Sequence, residues 1–78
     1  MSEKQNYKIK KHIAVLSRQE GRGSNWNMEL NLVSWYNKDA KFDIREWAPD
    51  HGRCGKGITL THQQALDLRD ALNEFFGR

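Results

Sequence analysis

The residues best equipped to do chemistry in this chain are cations and flat aromatics, and they interleave. Trp26, Trp35 and Trp47 are three tryptophans in 78 residues, and Lys38, Lys41, Arg45, Arg53 and Lys56 lie among and just after them, with Lys10 upstream. Lysine and arginine neutralise phosphates, while indole faces let unpaired bases stack, worth roughly 1–3 kcal/mol per base. That combination points to single-stranded nucleic acid as the ligand. Each residue also has a plainer use. Arg45 could pair with Asp43 or Glu46 on a solvated strand, Lys56 could be a solvated turn lysine, Trp47 could pack at an edge or interface, and Trp35 could belong to the core. Lys8, Lys10 and Lys11 could be no more than a charged, solubilising edge.

Signals for catalysis or metal binding are weaker. His51 and Cys54 are spaced like two zinc ligands, but a closed site needs four, and His12 and His62 fall on other elements. No nucleophile with a base and an orienting group is legible, and Gly52 to Gly57 does not follow the phosphate-loop pattern. Asp43 and Glu46 point to opposite faces of a strand, so they form no carboxylate pair. The reading is a non-enzymatic binding protein with no metal, no cofactor and no small-molecule substrate.

Positioning these side chains takes one domain, because 78 residues leave no room for a second core. Chains of this size have little stability to spare, and many widen the margin by pairing. A single cysteine, Cys54, excludes an internal disulfide, and Met1 to Lys11 is polar and basic with no apolar run behind it. A cytoplasmic, nucleoid-associated setting with no membrane partner is therefore expected. The net charge of +3 is mild but uneven: residues 1–22 carry six Lys/Arg against two Asp/Glu, residues 38–57 five against four, and residues 58–78 two against three. The predicted strands are basic and the predicted helix is slightly acidic.

Lys41 to Thr61 organises the rest. Phe42 and Ile44 alternate with Lys41, Asp43, Arg45 and Trp47, the pattern of a strand with one core face. Ala48 to Gly57 holds the one proline and three of six glycines, which predicts a wide turn with unusual dihedrals. Gly57 to Leu60 resumes a strand, and Thr61 with Gln64 is a capping-box signal for a helix from about His62 to Phe76. Its apolar stripe is Ala65, Leu68, Leu72, Phe75 and Phe76, and Gly77 is a natural stop. Upstream, residues 1–6 form a polar tail and Tyr7 to Ser17 alternates as a strand, with Lys11 marking a bulge or an edge. Residues 18–25 read as a flexible loop. Trp26 to Tyr36 is a second strand whose apolar phase shifts near Leu32, which predicts a bulge there and leaves open which phase is buried. Asn37 to Ala40 is a hairpin turn. The expected fold is α+β: a four-stranded antiparallel meander followed by one C-terminal helix, with residues 7–78 as the domain. The helix covers one sheet face, leaving Lys8, Lys10, Lys41, Arg45 and Trp47 on an open one.

Asp43-Ile44-Arg45-Glu46-Trp47, a polar turn and Lys56-Gly57-Ile58-Thr59-Leu60 resemble the double motif of the transcriptional positive cofactor four family, also called the coactivator p-fifteen family. Leu30-Asn31, Val33-Ser34-Trp35 and Trp47-Ala48-Pro49-Asp50-His51 bring it nearer the small bacterial YdbC-like branch. The resemblance covers about residues 7–76. It implies a homodimer that binds single-stranded DNA with little sequence preference, Arg45 and Lys56 as backbone-contacting cations, and an aromatic at Trp47. Eukaryotic members usually carry two adjacent aromatics here, whereas Ala48 follows Trp47, so Trp26, Trp35 or Tyr36 would supply the remaining stacking surface. The helix residues Leu68, Leu72, Phe75 and Phe76 offer more apolar surface than one thin sheet covers and form the expected dimer interface. RNA is the alternative ligand, and a protein-interaction module is the alternative class.

Overall fold

The period-two segments form four antiparallel strands, β1 (Tyr7–Arg18), β2 (Asn27–Trp35), β3 (Lys41–Trp47) and β4 (Cys54–Leu60), followed by one helix, α1 (His62–Phe76). Their spatial order is β1-β2-β3-β4, a simple meander with β1 and β4 at the edges. The computed structural model describes residues 6–18 and 25–77, so the tail at 1–5 and the connection at 19–24 lie outside the described residues.

Helix α1 starts where the capping box places it. Thr61 Oγ1 accepts the Gln64 backbone N–H at 3.0 Å, and Gln64 Oε1 accepts that of Thr61 at 2.9 Å, which satisfies two of the orphan donors of the first turn. Gly77 ends it with φ 80°, the left-handed conformation that glycine adopts without a Cβ penalty.

β2 and β3 pair without interruption from Asn27↔Trp47 to Val33↔Lys41. The bulge expected near Leu32 is therefore not in β2. The irregularities sit on β1, with register shifts between Ile9 and Lys11, His12 and Ala14, and Val15 and Ser17. The edge and the bulge expected at Lys11 are both present. Each extra residue reverses the alternation, so Tyr7 and Ile9 face the same side as Trp35 and Val33, whereas Lys8 turns to the other side. Lys8 and Lys10 thus do not line up with Arg45 as a period-two reading of β1 suggests.

The sheet is strongly curled. Tyr7 pairs with Trp35 at one end of β2, and Trp47 pairs with Asn27 at the other, roughly 26 Å away along a flat strand. Yet the Tyr7 and Trp47 rings meet edge to face with centroids 5.1 Å apart. Bulges bend and overtwist a strand, and three in twelve residues carry β1 over the concave face. The most buried residues lie there: Val33 0%, Asn31 0%, Asp43 0%, Trp47 1% and Glu29 5% exposed. This overturns the expectation of an open face opposite the helix.

The helix-facing side is the less covered one. Among the described residues α1 meets only β3 and β4, and none of its residues is buried. Between it and the sheet lies a groove of about 420 Å³ lined by Leu30, Phe42, Ile44, Leu60, Leu68 and Leu72. Leu68, Leu72, Phe75 and Phe76 are 39%, 47%, 81% and 68% exposed. Among the described residues no helix is long and apolar enough to cross a membrane.

Candidate nucleic-acid interface

Strand β3 presents Asp43 and Arg45 two residues apart on the concave face, where they pair as neighbours. Asp43 Oδ1 accepts from Arg45 Nε at 2.7 Å, and its Oδ2 accepts from Trp35 Nε1 at 3.3 Å and Thr59 Oγ1 at 3.2 Å. Three strands are tied to one carboxylate. Arg45 also donates from Nη1 to the Gly55 carbonyl at 3.3 Å and lies 4.6 Å above the Trp35 ring centroid. Burial works against its charge, but the hydrogen bond and the charge of Asp43 outweigh it and raise the guanidinium pKa above its ordinary value. The result is a fixed cation, 15% exposed in its side chain, stacked on a half-buried indole. Remaining N–H groups of such a fork suit a phosphate oxygen.

The tight turn between β2 and β3 stands at the end of this face. Lys38 N–H donates to the Trp35 carbonyl at 2.9 Å, and Tyr36 and Asn37 both have positive φ, 55° and 64°, the primed turn that suits strand twist. Its centre, Tyr36–Asn37, is thus two residues earlier than a turn over Asn37–Ala40 suggests. It displays Tyr36, 65% exposed, beside the exposed Lys38, with exposed Lys41 at the start of β3.

At the far end of the sheet, Arg53 lies 5.8 Å from the centroid of the half-buried Trp26 ring. Lys56 is exposed in the irregularity of β4 opposite Glu46. The sequence-predicted residues therefore fall into two groups. Trp35, Lys38, Lys41 and Arg45 belong to the concave face and its turn, while Trp26, Arg53 and Lys56 gather where β4 begins. Lys10 stands apart on the bulged edge strand.

Trp47 is corrected as a stacking platform. It is 1% exposed, closed off by Tyr7 and by the His51 ring at 5.6 Å, so the folded chain leaves no face of it free for a base. Its role is to anchor the loop after β3, where Ala48 N–H bonds the Arg53 carbonyl and Tyr7 Oη donates to the His51 carbonyl. Two polar residues of β2, Glu29 and Asn31, complete the concave face and were not among the predicted site residues, nor was Tyr7; His51, weighed in the sequence only as a zinc ligand beside Cys54, joins them by bonding to Glu29. Their phase with Val33 was the available signal; their partners come from β1 and from the loop. Among the described residues there is no group of three or more His, Cys, Asp or Glu placed to hold a metal.

The fold is thus a curled four-stranded meander with a cation fixed over an indole, followed by a single helix. The model of the family Transcriptional Coactivator p15 (PC4) matches residues 23–71, more than half of the chain. The chain belongs to the transcriptional coactivator p15 (PC4) family. Membership makes it a small DNA-binding, coactivator-like protein. An uncharacterized protein of Treponema pallidum (strain Nichols) is 40% identical over 68 residues, which cover 87% of this chain and 76% of that protein. The p15 family match spans β2, β3, β4 and the first ten residues of α1, so it contains both groups of cations and the Asp43–Arg45 pair.

Proposed function

We propose that this chain binds single-stranded DNA with little sequence preference, as a homodimer, through the β2–β3 turn and the adjoining concave rim. The observation that carries this reading is Arg45, pinned by Asp43 over Trp35, with Tyr36, Lys38 and Lys41 exposed beside it. Such a surface offers charge to the backbone and rings to unpaired bases, and duplex bases, already stacked, do not reach the rings. The activity is non-catalytic: strands opened in transcription, replication or repair are held or presented. The Treponema relative supports placement in the bacterial branch of the family; a cytoplasmic, nucleoid-associated role is part of the same proposal.

Fluorescence anisotropy of a ~20-nucleotide oligomer, single-stranded and duplex, at several salt concentrations tests the reading. The single strand should bind more tightly and quench tryptophan emission. Lys38→Ala and Lys41→Ala should each lower the slope of log K against log salt by about 0.7, the value for one lost single-strand phosphate contact. Unchanged slopes in both variants would remove this face as the binding surface.

The dimer reading rests on the helix-facing side. Ile58, Leu72, Phe75 and Phe76 stay 54%, 47%, 81% and 68% exposed in the isolated chain, and burying each large apolar side chain contributes about 1.5–3 kcal/mol. Sedimentation at micromolar concentration should give twice the 9.2 kDa chain mass. Leu72→Glu should shift it to the monomer, and a wild-type monomer would overturn this part of the proposal.

A further inference from the structure

Behind the cations lies a polar cluster that the binding surface described above does not use. The Glu29 carboxylate, 5% exposed, accepts from Asn31 Nδ2 at 3.1 Å and sits 3.0 and 3.1 Å from His51 Nε2, with His12 Nδ1 at 3.5 Å. Because the Asn31 amide N–H is given to Glu29, its Oδ1 faces His12 Nδ1 at 2.7 Å, and that nitrogen must donate. One nitrogen of each imidazole is thereby committed. Nε2 of His12 and Nδ1 of His51 take no hydrogen bond from any described residue, and they are the positions where a second proton adds. Both side chains reach solvent, 51% and 39% exposed.

We propose that His12 and His51 are a titrating pair of phosphate-binding cations with Glu29 as their shared counter-ion, through which single-stranded nucleic acid is gripped more tightly as the pH falls. This rests on the single-strand reading above and adds its regulation. Imidazole is the side chain whose charge can change within the physiological pH range. Around the pair stand Tyr7 and the flanking Lys10 and Lys11 on β1, Arg45 opposite Glu29 and Asp43 opposite Asn31 on β3, Asp50 next to His51, and Cys54 on β4 opposite Trp47. Burial pushes the Glu29 carboxyl up, but hydrogen bonds from His51 and Asn31 and the charges of both imidazoles outweigh it and hold its pKa below the ordinary value. The counter-ion therefore stays ionised while the rings change charge. A polyanion laid across both rings favours their protonated forms, so binding takes up protons.

The test is calorimetry of the full chain with a ~20-nucleotide oligothymidylate at pH 7, in two buffers of different ionisation enthalpy, with salt slopes measured at pH 6 and pH 8. Net proton uptake is expected, and a slope steeper at pH 6 by up to about 1.4, roughly 0.7 per imidazolium. A variant with His12→Gln and His51→Gln should lose both the proton uptake and the change of slope between pH 6 and pH 8. His12→Gln alone, on the exposed edge strand, should lose about half of them, which keeps the test in force if the His51 loop does not tolerate change. Equal heats in both buffers, or uptake that persists in the double variant, overturns the inference while leaving the single-strand reading intact. Absence of binding at both pH values overturns that reading, and this inference with it.

Discussion

Gly57→Ala should destabilise the fold by about 3 kcal/mol or more, at or beyond the upper end of ordinary overpacking. A Cβ at Gly57 would lie 2.2 Å from Arg45 Cβ and 2.2 Å from the Ile44 carbonyl oxygen. The second contact is backbone, so no rotamer relieves it and the β3–β4 pair must move apart. That pair carries the Arg45 bond to the Gly55 carbonyl and two of the three strands tied to Asp43, and α1 docks on the same two strands. Site, edge and helix should fail together. Gly55→Ala is the control: its Cβ meets Glu46 Cβ and Trp26 Cζ3 at 3.8 Å, ordinary contact, and should cost under about 1 kcal/mol. Urea midpoints of the two variants decide the matter. Equal midpoints would mean that β4 does not approach Arg45 this closely.

Asp43→Ala should cost about 3–5 kcal/mol, the loss typical of stripping one partner from a buried charged pair. Asp43 is 0% exposed and accepts from Arg45, Trp35 and Thr59. Its removal strands a guanidinium and an indole N–H together. For a domain of this length each kcal/mol moves the melting temperature by about 4–8 °C, so a fall of roughly 12–40 °C is expected. Asp43→Asn, which preserves the shape and part of the hydrogen bonding, should fall between the two. A drop of only a few degrees for Asp43→Ala would show that the Asp43–Arg45 pair is solvated and does not organise the concave face. If the variant folds, its DNA affinity should fall as well, because Arg45 loses the contact that holds it over Trp35.

Much of this architecture was legible because it depends on neighbours in the chain. The Thr61–Gln64 capping box, the Gly77 stop and the span His62–Phe76 follow from interactions within one or two helical turns, and they stand as read. The alternation in Lys41–Trp47 likewise marked β3, and the pairing of Arg45 with Asp43 was one of two uses that the spacing allowed. The wide turn before β4 was also visible, but its unusual dihedral belongs to His51, with φ 61°, and not to its glycines. Gly57 is required by the approach of Arg45 across the strand pair, a distance no local pattern records.

Local pattern along the chain sets the element order, the helix with its caps, and the presence of cations among aromatic rings. Tertiary structure alone decided which of those rings meets solvent. Alternation assigns a face to each residue of a straight strand, but three bulges in β1 reversed that assignment and curled the sheet until Tyr7 covered Trp47. The concave face closed over Glu29, Asn31 and Asp43, while the helix-facing side, expected to be sealed, kept its groove. Burial depends on how far a sheet bends and on what lies across it, and both are set by contacts between residues far apart in the chain.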